Sequence, residues 1–117
     1  SFISLGLVLP ALRGLMISEG PETDHCEAIV LVKPQFEVGR QRVGKGGVVR
    51  EPAAHVDAIT AVIEAACLIG WNPSGLVASP LTGPAGNHEY LLWLTSQVDQ
   101  AFTNHTIDRV VSDTLSG

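Results

Sequence analysis

Cysteine is scarce in this chain, long hydrophobic runs are missing, and acids outnumber cations. Each shortage removes a class of protein. The two cysteines, Cys26 and Cys67, stand far apart with no His or Cys at metal-ligand spacing. They read as small buried hydrophobes in a reducing, cytoplasmic setting. His25, His55, His88 and His105 likewise share no metal spacing, so they read as surface or hydrogen-bonded residues and no metal is expected. No apolar run approaches the roughly 20 residues that a membrane-crossing helix needs, because Pro10, Arg13 and Gly14 interrupt the longest one. The start has neither a basic leader nor a small-residue cleavage site. No membrane partner is therefore expected.

The formal net charge is −5, with 7 Lys and Arg against 12 Asp and Glu, which argues against a general affinity for nucleic acid. The distribution argues otherwise. Lys33, Arg40, Arg42, Lys45 and Arg50 all fall within 33–50, where Glu37 is the one acid. The chain of 117 residues suffices for one modest domain, and 45% hydrophobic content makes it globular rather than disordered.

What is present begins with the run Ala28-Ile29-Val30-Leu31-Val32, which lacks polar alternation and reads as a buried strand over 26–32. Lys33 ends it, and Pro34 cannot continue the ladder because it has no N–H. In open α/β sheets functional groups gather beyond the carboxyl ends of strands. A cation at such a strand tip, followed by a basic loop with four glycines over 33–50, points to a phosphate-bearing ligand.

Around this strand the pattern predicts a helix over 5–17, irregular near Pro10, with Leu5, Val8, Leu9, Leu12, Leu15 and Met16 on its apolar face. A second helix opens at Glu51-Pro52 and runs to Ile69, with Val56, Ile59, Val62, Ile63, Ala66 and Ile69 as its buried stripe and Gly70 just beyond its end. Strands follow at 74–79 and 88–96, joined by a turn rich in Pro and Gly, and 105–115 forms a weak terminal helix. Trp71 and Trp93 read as core residues. Tyr90 to Leu94 is too uniformly apolar for a sheet edge.

Two segments carry a resemblance. Lys33-Pro34-Gln35-Phe36-Glu37 and the run Gly83-Pro84-Ala85-Gly86-Asn87-His88-Glu89-Tyr90-Leu91-Leu92-Trp93-Leu94, with SFISL at 1–5 and GKGGVV at 44–49, resemble the TlyA family of ribosomal RNA 2′-O-methyltransferases. That family is sometimes labelled hemolysin and belongs to the FtsJ-like group. The match runs from Ser1 to about Val98, starts in mid-motif and lacks an initiating Met, so the chain is expected to be a later fragment of such a protein.

The resemblance implies an α/β fold: the C-terminal half of a Rossmann-like class I S-adenosylmethionine-dependent methyltransferase, ending in an antiparallel hairpin. Residues 1–100 would belong to that domain and 101–117 to a tail. The family's Lys-Asp-Lys-Glu tetrad would be half present, as Lys33 and Glu89, with the first Lys and the Asp upstream of Ser1. Transfer to a ribose 2′-OH needs that hydroxyl aligned with the sulfonium methyl and relieved of its proton. A solvated Lys, with a pKa near about 10.4, is a poor base, so burial and a second cation are expected to lower Lys33. Glu89 would orient it.

By the same resemblance Ser1 and Phe2 would border the S-adenosylmethionine pocket. Arg40, Arg42 and Lys45 would contact ribosomal RNA or ribosomal subunits, while Glu37 would order the loop by pairing with Arg40 or Arg42. Asn87 and Gly86 are expected to shape their turn by tolerating positive φ. The weighed alternatives are an inactive RNA- or protein-binding remnant and a membrane-active hemolysin. Strand 26–32 should pair with 88–96, which pairs in turn with 74–79. The other edge of strand 26–32 would stay bare and draw isolated chains together. The isolated piece should not bind S-adenosylmethionine measurably.

Overall fold

A computed structural model describes residues 26–116. The elements are β1 (Glu27–Val32), α1 (Pro34–Glu37), α2 (Pro52–Leu68), β2 (Asn72–Ala78), β3 (Tyr90–Thr95) and α3 (Asn104–Ser116). Three 3-10 turns, Arg40–Arg42, Lys45–Gly47 and Pro84–Gly86, break up the loops. The helix expected over 5–17, together with Ser1 and Phe2, lies outside the described residues.

The three strands form one sheet in the order β1-β3-β2, and β3 pairs antiparallel with both neighbours. This is the pairing expected from the apolar pattern. β3 tolerates the central place because both of its faces are apolar. Tyr90, Leu92 and Leu94 are fully buried on one face, while Leu91 and Trp93 are half-buried on the other. A fully buried leucine contributes about 1.5–3 kcal/mol over an exposed one, so the inward row of β3 is a principal source of stability. Trp71 is core, as expected. Trp93 is not: strand alternation sends it to the opposite face, where Ile29 of β1 is 56% exposed. Among the described residues β1 pairs on one side alone.

α2 lies over the buried face. Pro52 opens it, needing no N–H partner there. Its end is closed by backbone geometry: Trp71 N–H donates to the Ala66 carbonyl at 3.0 Å and Gly70 N–H to that of Cys67 at 3.1 Å. This paired pattern requires a left-handed residue, and Gly70 supplies it with φ of 92°. Trp71, next along, then folds back into the core. The buried stripe is turned from the one expected: Ala54, His55, Ala58, Ile59, Val62 and Ala66 face inward, whereas Val56, Ile63 and Ile69 are only partly buried. Small alanines let the helix approach the sheet closely. Cys26 is buried, but Cys67 lies on the exposed side of α2, which corrects the expectation for that residue.

The terminal helix is more than a weak one. α3 packs against α2 and β2, burying Ile107 and Val111, with Phe102, Val110 and Leu115 packed around them. The described helices include none long and apolar enough to cross a membrane.

His55 is a fully buried polar residue on the inward side of α2. Its Nε2–H donates to the Val49 carbonyl at 2.8 Å, and Nδ1 accepts the Tyr90 hydroxyl at 2.7 Å. Since a carbonyl can only accept, this arrangement sets the neutral tautomer with the proton on Nε2. Burial lowers the His55 pKa from its ordinary 6.5, and burial pushes the Tyr90 phenol up to about 12. The folded state thus holds His55 neutral, while the unfolded chain binds a proton once pH falls below about 6.5. In that window the unfolded state carries more protons, so stability must fall as pH falls. Denaturant unfolding from pH 7.5 to pH 5 is expected to show this loss, and a His55→Gln variant should show a flatter profile. Equal slopes for the two would exclude His55 as the source.

Candidate functional site

β1 and β3 bring the two conspicuous motifs together. Their last paired rung is Val32 opposite Tyr90. Lys33 and Glu89 each lie one residue beyond it, so the register carried one step further sets them opposite each other at the end of the sheet. Pro34 causes the abrupt stop. It starts the single turn of α1, whose Phe36 and Glu37 N–H groups donate back to the Lys33 carbonyl at 3.0 and 3.2 Å. Lys33 is half-buried, and its ammonium lies 5.5 Å from the centre of the Phe36 ring. That contact attracts a cation to the ring face and steadies a long side chain.

Glu89 is buried, 6% exposed, and two residues meet its Oε2. Gln35 Nε2 donates to that oxygen at 2.7 Å. Gly83 packs so closely against it that a methyl group there would overlap the carboxylate. The other end of the Gln35 amide, Oε1, is buried without a hydrogen-bond partner among the described residues. Reversing the amide would set oxygen against the carboxylate, so the orientation is dictated by chemistry. The site therefore keeps one buried acceptor open beside a fixed carboxylate. Gln35 was not singled out in the sequence, although its place two residues after Lys33 in the Lys-Pro-Gln-Phe-Glu motif was on view.

The basic loop is more ordered than expected. Gly46 and Gly47 take φ of 77° and 79°, conformations that glycine adopts without steric cost. Arg42 Nη1 donates to Asp57 Oδ2 at 2.6 Å and Nη2 to Glu51 Oε1 at 2.8 Å. The bond to Asp57, then that to Glu51, raises the pKa of the guanidinium. Arg42 clasps the loop to the start of α2, which removes one of the two partners expected for Glu37. Arg40, Lys45 and Arg50 lie exposed beside it.

Asn87 departs most from the expectation. Its φ is −63°, so Gly86, at 82°, takes positive φ as expected, while the second such position is Ala85, at 61°, rather than Asn87. The Asn87 side chain bridges to the basic loop: Oδ1 accepts Val49 N–H at 2.9 Å and Nδ2 donates to the Gly47 carbonyl at 2.8 Å. Nothing in the local pattern marks a contact between residues 38 or 40 positions apart.

The described residues do not include a cradle for S-adenosylmethionine. A glycine-rich loop feeding a helix N-terminus would hold the charged tail of such a ligand. The long helix that follows the basic loop instead begins with Glu51, an acid, and Pro52, which has no N–H. Nor do His, Cys, Asp and Glu cluster for a metal among the described residues.

The model of the FtsJ-like methyltransferase family matches residues 10–96. The chain belongs to that family. Its relatives include the 16S/23S rRNA (cytidine-2′-O)-methyltransferase TlyA of Mycobacterium tuberculosis, 44% identical over 116 residues that cover 99% of this chain and 41% of that protein. The "Putative rRNA methyltransferase YqxC" of Bacillus subtilis is 44% identical over 97% of this chain and 40% of its own length. A crystal structure described as "a putative hemolysin from Lactococcus lactis" superposes with a TM-score of 0.80 at 36% identity, covering 97% of this chain and 52% of that one. The chain thus spans about two fifths of the length of the curated relatives it matches.

Replacing Gly83 by Ala should dislodge Glu89. The Gly83 backbone is ordinary, with φ of −81°, so the penalty comes from crowding alone and is about 1–3 kcal/mol. Gly39→Ala provides the control, because a methyl there meets only the flexible end of Gln41. Denaturation midpoints and the Gln35 side-chain amide resonances should both move for Gly83→Ala. A shift no greater than that of Gly39→Ala would show that Glu89 is not wedged in place.

Proposed function

We propose that this chain supplies the hydroxyl-activating half of an rRNA ribose 2′-O-methyltransferase, as the C-terminal part of a Rossmann-like methyltransferase domain. What supports the reading is the register that, carried one step beyond the Val32–Tyr90 rung, sets Lys33 opposite Glu89, in a chain of the FtsJ-like family. S-adenosylmethionine, which enzymes of that family use in general, supplies the methyl group. Its holding falls to Ser1, Phe2 and residues upstream, and no step is assigned to it through the described residues.

The chain's own groups act on the acceptor. Lys33 lies at the strand tip where a ribose hydroxyl would arrive, steadied by the Phe36 ring. As the neutral amine, its Nζ accepts a hydrogen bond from the hydroxyl and takes up the proton that leaves as the oxygen becomes nucleophilic, ending the step as an ammonium. Glu89, held by Gln35, faces that end of the sheet and orients Nζ. Arg40 and Lys45 reach the phosphates on either side of the target nucleotide. Arg42 orders the loop rather than contacting RNA, because two carboxylates already occupy its guanidinium.

In the full-length protein carrying this chain, Lys33→Ala should cut methyl transfer to rRNA by ~10²–10⁴-fold, the usual contribution of a proton-transfer group. S-adenosylmethionine affinity should hardly change, and Glu89→Gln should be milder. A loss below about tenfold would remove Lys33 from the reaction. Arg40→Ala and Lys45→Ala should each reduce the log–log salt slope of RNA binding by roughly 0.7–0.9, whereas slopes equal to wild type would leave the loop merely solvated.

A further inference from the structure

Asn87 is 1% exposed, and both ends of its amide are used. Oδ1 accepts from Val49 N–H at 2.9 Å, and Nδ2 donates to the Gly47 carbonyl at 2.8 Å and to that of Pro84 at 3.0 Å. Only the last of these bonds stays within Asn87's own turn. The other two grip the end of the basic loop. Val49 is itself buried, and its carbonyl accepts from His55, whose other nitrogen accepts from Tyr90. The hydrogen bonds therefore close a ring: Asn87 to Val49, Val49 to His55, His55 to Tyr90, and back along the chain through Glu89 and His88. Glu89 is inside that ring. The loop that bears Arg40 and Lys45 is tied to it through Gly47 and Val49.

A turn-shaping asparagine would need only its bond to Pro84. Two bonds to a distant loop, that to Val49 N–H buried and that to the Gly47 carbonyl partly so, fix the distance between that loop and the strand entry carrying Glu89. We propose that Asn87 is a positioning residue for 2′-O-methyl transfer: it holds the phosphate-binding loop and the Glu89 carboxylate at one spacing, so that RNA gripped by the loop presents its ribose to Lys33. This rests on the function proposed above. A protein acting on a small free molecule would have no use for a set distance between a cationic loop and the reacting groups. A polymer held by its phosphates does, since a misplacement of about 1 Å can cost ~10²-fold in rate.

The test uses the full-length protein with an rRNA substrate. Wild type is measured first for methyl transfer and for the salt dependence of RNA binding. Absence of both would defeat the functional reading itself, independently of Asn87. Two variants follow. Asn87→Ala removes all three bonds. Asn87→Asp keeps an acceptor for Val49 N–H but turns a second acceptor on the Gly47 and Pro84 carbonyls.

In whichever variant unfolds cooperatively, kcat is expected to fall about 10²-fold, with S-adenosylmethionine affinity unchanged. The salt slope should fall by at least the ~0.7–0.9 of one phosphate contact. Adding Arg40→Ala and Lys45→Ala should then weaken RNA binding less than it does in wild type, since coupled sites are not additive. A residue that only supports its turn would lower the unfolding midpoint and leave this coupling at zero. A folded variant with wild-type kcat, or with fully additive effects, overturns the proposal.

Should neither variant fold, amide exchange in wild type decides. RNA binding should slow exchange at both 44–49 and 87–90. Slowing confined to 44–49 would mean that the two segments are not coupled, and the proposal would be wrong.

Discussion

The antiparallel pairing of β1 with β3 is the contact from which the rest of the candidate site follows. Its register sets Val32 against Tyr90 and so brings the two strand ends, with Lys33 and Glu89, to the same end of the sheet. A slip of one residue would turn Leu92 and Leu94 from the core to the outer face and exchange them for Leu91 and Trp93. The hydrophobic effect that buries Leu92 and Leu94 is thus the same force that aligns the polar groups at the strand ends. α2 and α3 act by covering that buried face.

Charge is organised in the same spirit. A chain of net charge −5 presents a cationic loop because its acids lie elsewhere. Two of them, Glu51 and Asp57, are used to tether that loop through Arg42. These ion pairs are exposed, and isolated exposed pairs contribute little stability. Their consequence is geometric: one guanidinium held by two carboxylates fixes how the loop approaches α2. Asn87 anchors the loop again at Gly47 and Val49, and its bond to Val49 N–H is buried.

Much of the fold was legible in the chain. The apolar run 28–32, the break at Lys33-Pro34, the Pro52 start of α2 and its Gly70 end are local signals, and each depends on one or a few neighbouring residues. The motifs that carry the family resemblance were legible too, because Lys-Pro-Gln-Phe-Glu and Gly-Asn-His-Glu-Tyr are contiguous strings. Trp93 was misjudged because apolar character does not say which face of a strand a residue occupies. The stripe of α2 was rotated for a similar reason: small Ala54 and Ala58, and a hydrogen-bonded His55, were displaced in the reading by larger residues at nearby positions. Cys67 was assigned inward on residue type alone.

The sequence by itself determined the three strands and the two longer helices of the described residues, the strand order implied by a doubly apolar β3, and Lys33 and Glu89 as the residues to watch. Only the tertiary structure decided which groups hold them. Gln35 on the Glu89 carboxylate, Gly83 pressed beneath it, Arg42 turned to Glu51 and Asp57 rather than Glu37, and Asn87 bridging to Val49 all join residues remote in the chain. Periodicity and capping report on a residue's neighbours within a turn or two. A buried polar side chain must instead find its partner across the fold, because leaving it without one in a dry interior costs about 1–3 kcal/mol, and that partner is set by packing.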